Sequence, residues 1–340
     1  MYCARGLFFD TFPLTNLHKN RIFFLNISIF VEIYALMLKT EHIKQLAREV
    51  GFNLCGVAQS VNLDGDKSFL EEWIGQGFAS SLDYLKRSID RRADVSTLVE
   101  GAKSVVVCAV AYKNRISDGY PAEHRTKVAS YACTTDYHTT IKRMLFEMCS
   151  RLKESSPNFS ARCFVDSAPI FEKRYAVEAG LGWIGRQSLL VTPEFGSFVL
   201  LGEIVLNEEC DHYDRPLVSV GCGECRRCVD ACPNGAVKER HIDTSRCISC
   251  ATIENRDEGA KCALHGWIFG CDECQSVCPY NRKAPYATNT DFAPRFSPLE
   301  MGAEEWMALT EEEFSDRFAA TPLERARRDN IRRNTTLNRE

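Results

Sequence analysis

The run Cys222-Gly-Glu-Cys225-Arg-Arg-Cys228-Val-Asp-Ala-Cys232-Pro233 is followed by a lone Cys247 and then by Cys271-Asp-Glu-Cys274-Gln-Ser-Val-Cys278-Pro279. The first run is C-x2-C-x2-C-x3-C-P, a spacing in which three thiolates converge on one 4Fe–4S cluster and the fourth crosses to a second. The second run is C-x2-C-x3-C-P, one cysteine short, and Cys247 can supply the missing thiolate. Cys222, Cys225, Cys228 and Cys278 then hold one cluster, and Cys232, Cys247, Cys271 and Cys274 hold the other. The proline after each last cysteine turns the chain away, because its fixed φ and missing N–H resist a continued helix. Two C-x2-C pairs also meet the ligand count of a four-thiolate zinc site, but zinc needs neither eight thiolates nor two Cys-Pro endings. A disulfide framework leaves those endings unexplained as well.

The chain has 340 residues, 45% of them hydrophobic and 26% charged, with a net charge of −4. That is globular composition with room for two or three domains. So small a net charge does not announce nucleic-acid binding, and any such site has to be a local patch. Of the 17 cysteines, those outside the motif (Cys3, Cys55, Cys108, Cys133, Cys149, Cys163, Cys210, Cys250 and Cys262) are scattered. Several sit in apolar runs, where a free thiol acts as a small hydrophobe. Clusters and free thiols both predict a reducing, cytoplasmic setting.

Outward from the cysteines, residues 207–285 read as a ferredoxin-like domain and 37–206 as a domain of mixed helix and strand, so the fold class is α+β. Residues 286–340 read as a helical, acid-then-basic tail. The apolar stretch over 22–38 is interrupted by Asn26, Ser28 and Glu32 and is shorter than the ~20 residues of a spanning helix. Residues 1–36 are therefore expected to be an extension ahead of a true start at Met37, with no membrane anchor. A first helix follows, with Thr40 as its cap, Ile43, Leu46, Ala47 and Val50 as its apolar stripe and Gly51 as its stop. Strands are expected over 52–59, 105–112, 163–166, 188–191 and 198–206, with helices over 69–87, 139–153 and 169–179. Residues 87–94 read as a charged loop.

Asp166 ends an apolar strand just before Pro169. It reads either as a general acid with a pKa raised by burial or as the cap of the next helix. The Gly180-Leu-Gly182-Trp183-Ile-Gly185 run follows a helix, so it is not a dinucleotide fingerprint, and it reads as a tight loop. Asp136-Tyr-His138 begins like the D-x-H-x-x-G motif of cobalt-ligating histidines, but position 141 is Ile, and His138 is not assigned as a cobalt ligand. Basic residues gather in four sets: Lys86, Arg87, Arg91 and Arg92; Arg226 and Arg227; Arg282 and Lys283; and Arg325, Arg327, Arg328, Arg332 and Arg333. Beside a redox site such sets can hold RNA phosphates.

Several stretches together resemble epoxyqueuosine reductase. They are Val165-Asp166-Ser-Ala-Pro169, Ala179-Gly-Leu-Gly-Trp-Ile-Gly185-Arg-Gln-Ser-Leu-Leu190, Gly202-Glu203-Ile, the first cysteine run, Cys247-Ile-Ser, Thr252-Ile-Glu254 and Gly270-Cys-Asp-Glu-Cys-Gln-Ser-Val-Cys-Pro-Tyr-Asn281. The resemblance covers 37–333 in the family's order. It implies an oxidoreductase that converts epoxyqueuosine to queuosine at the wobble position of tRNA with a GUN anticodon. It also implies two 4Fe–4S clusters, a cobalamin held by an α/β domain similar to that of reductive dehalogenases, an external donor of flavodoxin or ferredoxin type, and a monomer. On this resemblance Asp166 is the proton donor. Arg92, Cys133, Asp166, Leu190, Arg246, Ser249, Asp272 and Glu273 are the expected cobalamin contacts. Many relatives read Cys-Ile-Ser-Tyr where this chain has Cys247-Ile-Ser-Cys250, so Cys250 stands as an alternative to Cys247 for the eighth ligand. The other readings are a related cobalamin reductase of a small molecule, such as a dehalogenase, and a plain electron carrier. A carrier would not need roughly 200 residues ahead of its clusters.

Overall fold

The computed structural model describes residues 37–156, 160–239, 241–255 and 260–339, so the extension expected over 1–36 lies outside the described residues. Its strands are β1 Leu54–Gln59, β2 Ser104–Ala111, β3 Lys127–Val128, β4 Ala161–Phe164, β5 Trp183–Ile184, β6 Leu190–Val191, β7 Val199–Leu206 and β8 Trp267–Phe269. Its α-helices up to the first cysteine run are α1 Thr40–Glu49, α2 Asp64–Gly75, α3 Asp83–Lys86, α4 Ile89–Ala93, α5 Tyr137–Ser155 and α6 Glu172–Glu178. Beyond it lie α7 Arg227–Asp230, α8 Ile248–Ile253, α9 Glu273–Ser276, α10 Pro279–Lys283, α11 Ala303–Ala308, α12 Glu311–Phe318, α13 Pro322–Ala326 and α14 Arg328–Leu337.

The central sheet follows from β2. Its sequence SVVVCAVA is apolar on both faces and buried along its whole length, as a strand covered on both sides must be. β1 and β7 flank it and β4 closes the far edge, in the order β1-β2-β7-β4, with every pair antiparallel. Alternation divides the side chains between two cores. Val106, Cys108 and Val110 meet Ile43 and Leu46 of α1 and Ile141, Met144, Leu145 and Met148 of α5. Val105, Val107 and Ala109 meet Val95, Val99, Tyr175 and Ala176 on the α6 side.

Some local expectations shift. Lys39 occupies the cap position of α1. Thr40 instead donates its backbone N–H to Asp211 Oδ1 at 2.9 Å and its hydroxyl to the His212 carbonyl at 2.6 Å, so a distant carboxylate does the capping. The helix expected over 69–87 breaks into α2 and α3 around Gly77, whose φ is +82°, and the expected charged loop contains α4. The helix expected from Pro169 starts at Glu172, because Asp166 takes a left-handed φ of +54° and turns the chain first.

The last helices build a third core. Trp306, Phe314, Phe318, Leu323 and Ile331 pack with Ile116, Val128, Ala132 and Cys133 and with Ile268 and Phe269. Trp306 and Phe318 stack at 5.1 Å. β3 pairs in parallel with β8 and so joins the first stretch to the cysteine stretch, and the last helices pack on residues of both. Asn281 ties the cysteine segment to the sheet: its Oδ1 accepts from Ser197 N–H at 2.6 Å, and its Nδ2 donates to Ser197 Oγ at 2.9 Å. Gly196 (φ +60°) lies so close that an added Cβ would stand 2.0 Å from Asn281 Oδ1.

Candidate active site

A cleft of about 650 Å³ opens between these stretches. One wall carries Tyr112, Tyr131, Tyr137, Asp166, Lys173 and Gln187, and the other carries Cys232, Cys247, Cys271 and Cys274 with Ser249, Asp272 and Glu273. Four of the eight motif cysteines therefore face the same space as Asp166. The thiols fall into two neighbourhoods. Cys274 lies within electrostatic reach of Cys247 and Cys232 as well as Cys228, Cys271 within reach of Cys274 and Cys247, and Cys247 within reach of Cys232. Cys228 lies within reach of Cys222 and Cys278, and Cys278 within reach of Cys222 and Cys225. Cys250 has Cys247 and Cys262 as its neighbours. Among the described residues, no three His, Cys or carboxylate groups converge tightly enough for a single metal ion; the sulfurs around a four-iron cube stand farther apart.

Asp166 does not cap a helix. Its Oδ2 accepts from the Tyr137 hydroxyl at 2.5 Å and faces His138 Nε2 at 3.4 Å. Its backbone N–H donates to Glu172 Oε1 at 2.6 Å, which holds the left-handed turn. Its side chain is 57% exposed within the open cleft. The hydrogen bond with His138 holds its carboxyl below the usual range; burial works against this and Tyr137 adds to it. The expected burial-raised acid is thus corrected to a carboxylate. Burial opposes charge on His138, but hydrogen bonds to Asp136 and Asp166 outweigh it and raise the imidazole above its ordinary value.

Two family profiles match the chain: one described as epoxyqueuosine reductase QueG, DUF1730, over residues 92–167, and one described as a 4Fe-4S double cluster binding domain, over residues 221–281. An epoxyqueuosine reductase of Cyclobacterium marinum is 38% identical over 305 residues, which cover 87% of this chain and 95% of that protein. The chain belongs to the epoxyqueuosine reductase family. A solved epoxyqueuosine reductase superposes with a TM-score of 0.78 at 26% identity, covering 90% of this chain and 81% of the other. Another, solved with a tRNA-Tyr epoxyqueuosine-modified tRNA stem loop, has a TM-score of 0.77 at 26% identity and the same 90% and 81% coverage.

In this member of the epoxyqueuosine reductase family the remaining expected contacts divide. Ser249, Asp272 and Glu273 line the cleft. Asp272 is buried and accepts from Ser130 N–H at 2.7 Å, and burial raises its carboxyl despite that bond. Glu273 accepts from Trp267 Nε1 at 3.1 Å. Arg92 sits within electrostatic reach of Asp166, Glu172 and Tyr84, and burial lowers its pKa. The Cys133 thiol and the Leu190 side chain point into cores. Arg246 lines a separate hollow with Pro233, Lys261 and Cys262. Tyr137, His138 and Gln187 were not among the expected residues. The signal the sequence offers for two of them is the Asp136-Tyr-His138 run, whose likeness to D-x-H-x-x-G ends at Ile141.

The residues fit the groups that the family implies. Eight thiols in two sets of four suit two clusters. The cleft is predominantly apolar and adjoins one set, and the Gln187 side chain is buried at its wall with Nε2 lacking any partner. A large cofactor with polar side groups supplies what that donor needs.

Proposed function

We propose that this chain reduces epoxyqueuosine to queuosine at the wobble position of tRNA with a GUN anticodon. The observation that carries the reading is the meeting of Asp166 and four motif thiols in one cleft of a family member. Cys222, Cys225, Cys228 and Cys278 would hold one cluster, and Cys232, Cys247, Cys271 and Cys274 the other. Ser249, Asp272, Glu273 and Gln187 would hold cobalamin at the cleft wall, with Arg92 near it. When bound, the clusters supply electrons singly and the cobalamin supplies the reducing metal centre beside the substrate.

Turning an epoxide into an alkene takes two electrons and two protons and releases one water. Asp166 delivers a proton to the oxygen as the C–O bond opens. Tyr137 and Glu172 fix its position, through its carboxylate and its backbone N–H respectively. Residues 37–206 carry this chemistry, 207–285 hold the clusters, and 286–340 brace the two. A flavodoxin- or ferredoxin-type donor refills the clusters, and the protein works as a cytoplasmic monomer. Among the described residues no helix is long and apolar enough to cross a membrane. The test is reconstitution with iron, sulfide and cobalamin, followed by assay on tRNA bearing epoxyqueuosine. Queuosine should form; its absence from a preparation with intact cluster spectra would overturn the reading.

A further inference from the structure

Asp136, His138 and Asp166 make a continuous line of polar atoms that ends in the cleft. Asp136 precedes α5 and caps it: its Oδ1 accepts the His138 backbone N–H at 3.0 Å and also meets His138 Nδ1 at 2.8 Å. Its Oδ2 pairs with Arg325 of α13 at 2.9 Å. Asp136 is a carboxylate, since burial, which would raise its pKa, is outweighed by these bonds and its pKa is lowered. An acceptor at that distance from Nδ1 fixes the hydrogen there. The other ring nitrogen, Nε2, then faces Asp166 Oδ2 at 3.4 Å. A neutral imidazole with hydrogen on Nδ1 would set a lone pair against a carboxylate oxygen, which is repulsive. The arrangement therefore calls for one more proton between Nε2 and Oδ2.

We propose that His138, oriented by Asp136, stores the proton that Asp166 passes to the substrate. The claim rests on the reductase reading and adds to it a source for the acid. In the step, the first of the two protons moves from Nε2 to Oδ2 and from Oδ2 to the opening epoxide oxygen. The second, which turns the departing hydroxyl into water, comes from solvent reaching the exposed Asp166 side chain. His138 is left neutral with its hydrogen on Nδ1, still bonded to Asp136. The two electrons come from the clusters. The logic is that of a carboxylate–histidine pair that sets a tautomer and supports an imidazolium. His138 acts through Asp166 and is a positioning residue. The charged and titratable groups around the pair are Asp136, Tyr131, Tyr137, Asp166 and Arg325, with Lys173, Glu172, Arg92, Tyr84 and Glu203 on the far side of Asp166.

Arg325 gives the store a link to the C-terminal helices. Asp136 also donates its backbone N–H to the Ala320 carbonyl at 2.7 Å, so α12 and α13 position the first member of the line.

The experiment measures hydrogen–deuterium exchange at the histidine C2 position by mass spectrometry, across pH, on the reconstituted protein without substrate. His138 should titrate above the ordinary value of about 6.5. Asp136→Asn retains a good helix cap and should lower that value. In the tRNA assay, His138→Gln should reduce kcat by about 10²-fold, the lower end of a general-acid contribution, with KM little changed. The Asp136→Asn profile should lose rate at a lower pH than wild type. A His138 that titrates at or below the ordinary value and ignores Asp136→Asn overturns the store, as does a His138→Gln enzyme of undiminished kcat. A wild-type protein that makes no queuosine would overturn the reductase reading, while the exchange data would still decide where the proton sits.

Discussion

A carboxyl that protonates a leaving oxygen must have a proton to give, and Asp166 is ionised by its own hydrogen bonds. Asp166→Asn keeps the shape and removes the acid. Turnover should fall at least about 10²-fold, while the cluster and cobalamin absorbances stay unchanged; full activity would remove Asp166 from the chemistry. Behind it lies Glu203, fully buried on β7 with neither carboxyl oxygen hydrogen-bonded. Burial, then the nearby charges of Glu172 and Asp166, raise its pKa well above the usual range. The folded state therefore holds a proton that the unfolded chain releases near pH 4.3, so stability declines as pH rises from there toward the folded value. Glu203→Gln abolishes that decline. Its melting temperature should gain on wild type more at pH 8 than at pH 5, and parallel curves would refute the buried-acid account. Among the cysteines, x2 spacing is local and readable, but the choice of Cys247 over Cys250 depends on where α8 begins. Cys247 occupies its cap position, and Cys250 lies buried within the helix. Cys247→Ala should lower the iron content and Cys250→Ala should not; the reverse pattern would exchange their roles.

At the scale of elements, α5 does two jobs that its sequence shows unequally. Its stripe of Ile141, Met144, Leu145, Met148 and Leu152 covers the sheet and is legible from spacing. Its first turn, Tyr137 and His138, meets Asp166 across nearly thirty residues. No periodicity reports that meeting, because it depends on β4 running beside β7 and returning to the helix's start. The C-terminal helices are a similar case. Their sequence reads as a helical, acid-then-basic tail, yet Trp306 and Phe318 are fully buried against partners such as Ile116 and Cys133, far earlier in the chain. Burial of that kind is a tertiary property that local composition does not carry. Trp306→Ala should destabilise the protein by about 3–5 kcal/mol, the usual cost of emptying a buried aromatic site, as read from denaturant unfolding of the reconstituted protein. A loss within about 0.5 kcal/mol, the range of surface substitutions, would mean that these helices do not brace the fold.

For the whole molecule, the cleft has useful walls only if the cysteine segment is held fast against the sheet. The docking contacts are polar and buried. Lys113 Nζ donates to the carbonyls of Asn281 at 2.9 Å and Ala284 at 2.8 Å, Asp272 takes the Ser130 N–H, and Asn281 bridges to Ser197. Such contacts cost little when all are made and about 1–3 kcal/mol for each group left unpaired, so they favour one docking over slightly displaced ones. Asn281 stands three positions past Cys278 and ligates nothing in the proposed scheme, so Asn281→Ala separates docking from cluster binding. The variant leaves Ser197 N–H without its acceptor and the Gln275 carbonyl without the Asn281 Nδ2 donor, although Ser197 Oγ keeps its bond to Gln275 Oε1, and it opens space at Gly196. Iron content should match wild type, since all eight thiols remain. Retention of cobalamin through desalting, measured as cobalt per chain, should fall several-fold, and turnover should fall with it. Arg151→Ala breaks only a surface pair with Glu49 and should change neither. Wild-type cobalt retention and rate in Asn281→Ala would show that the cleft keeps its shape without this bridge, leaving Lys113 and Asp272 to hold the two walls.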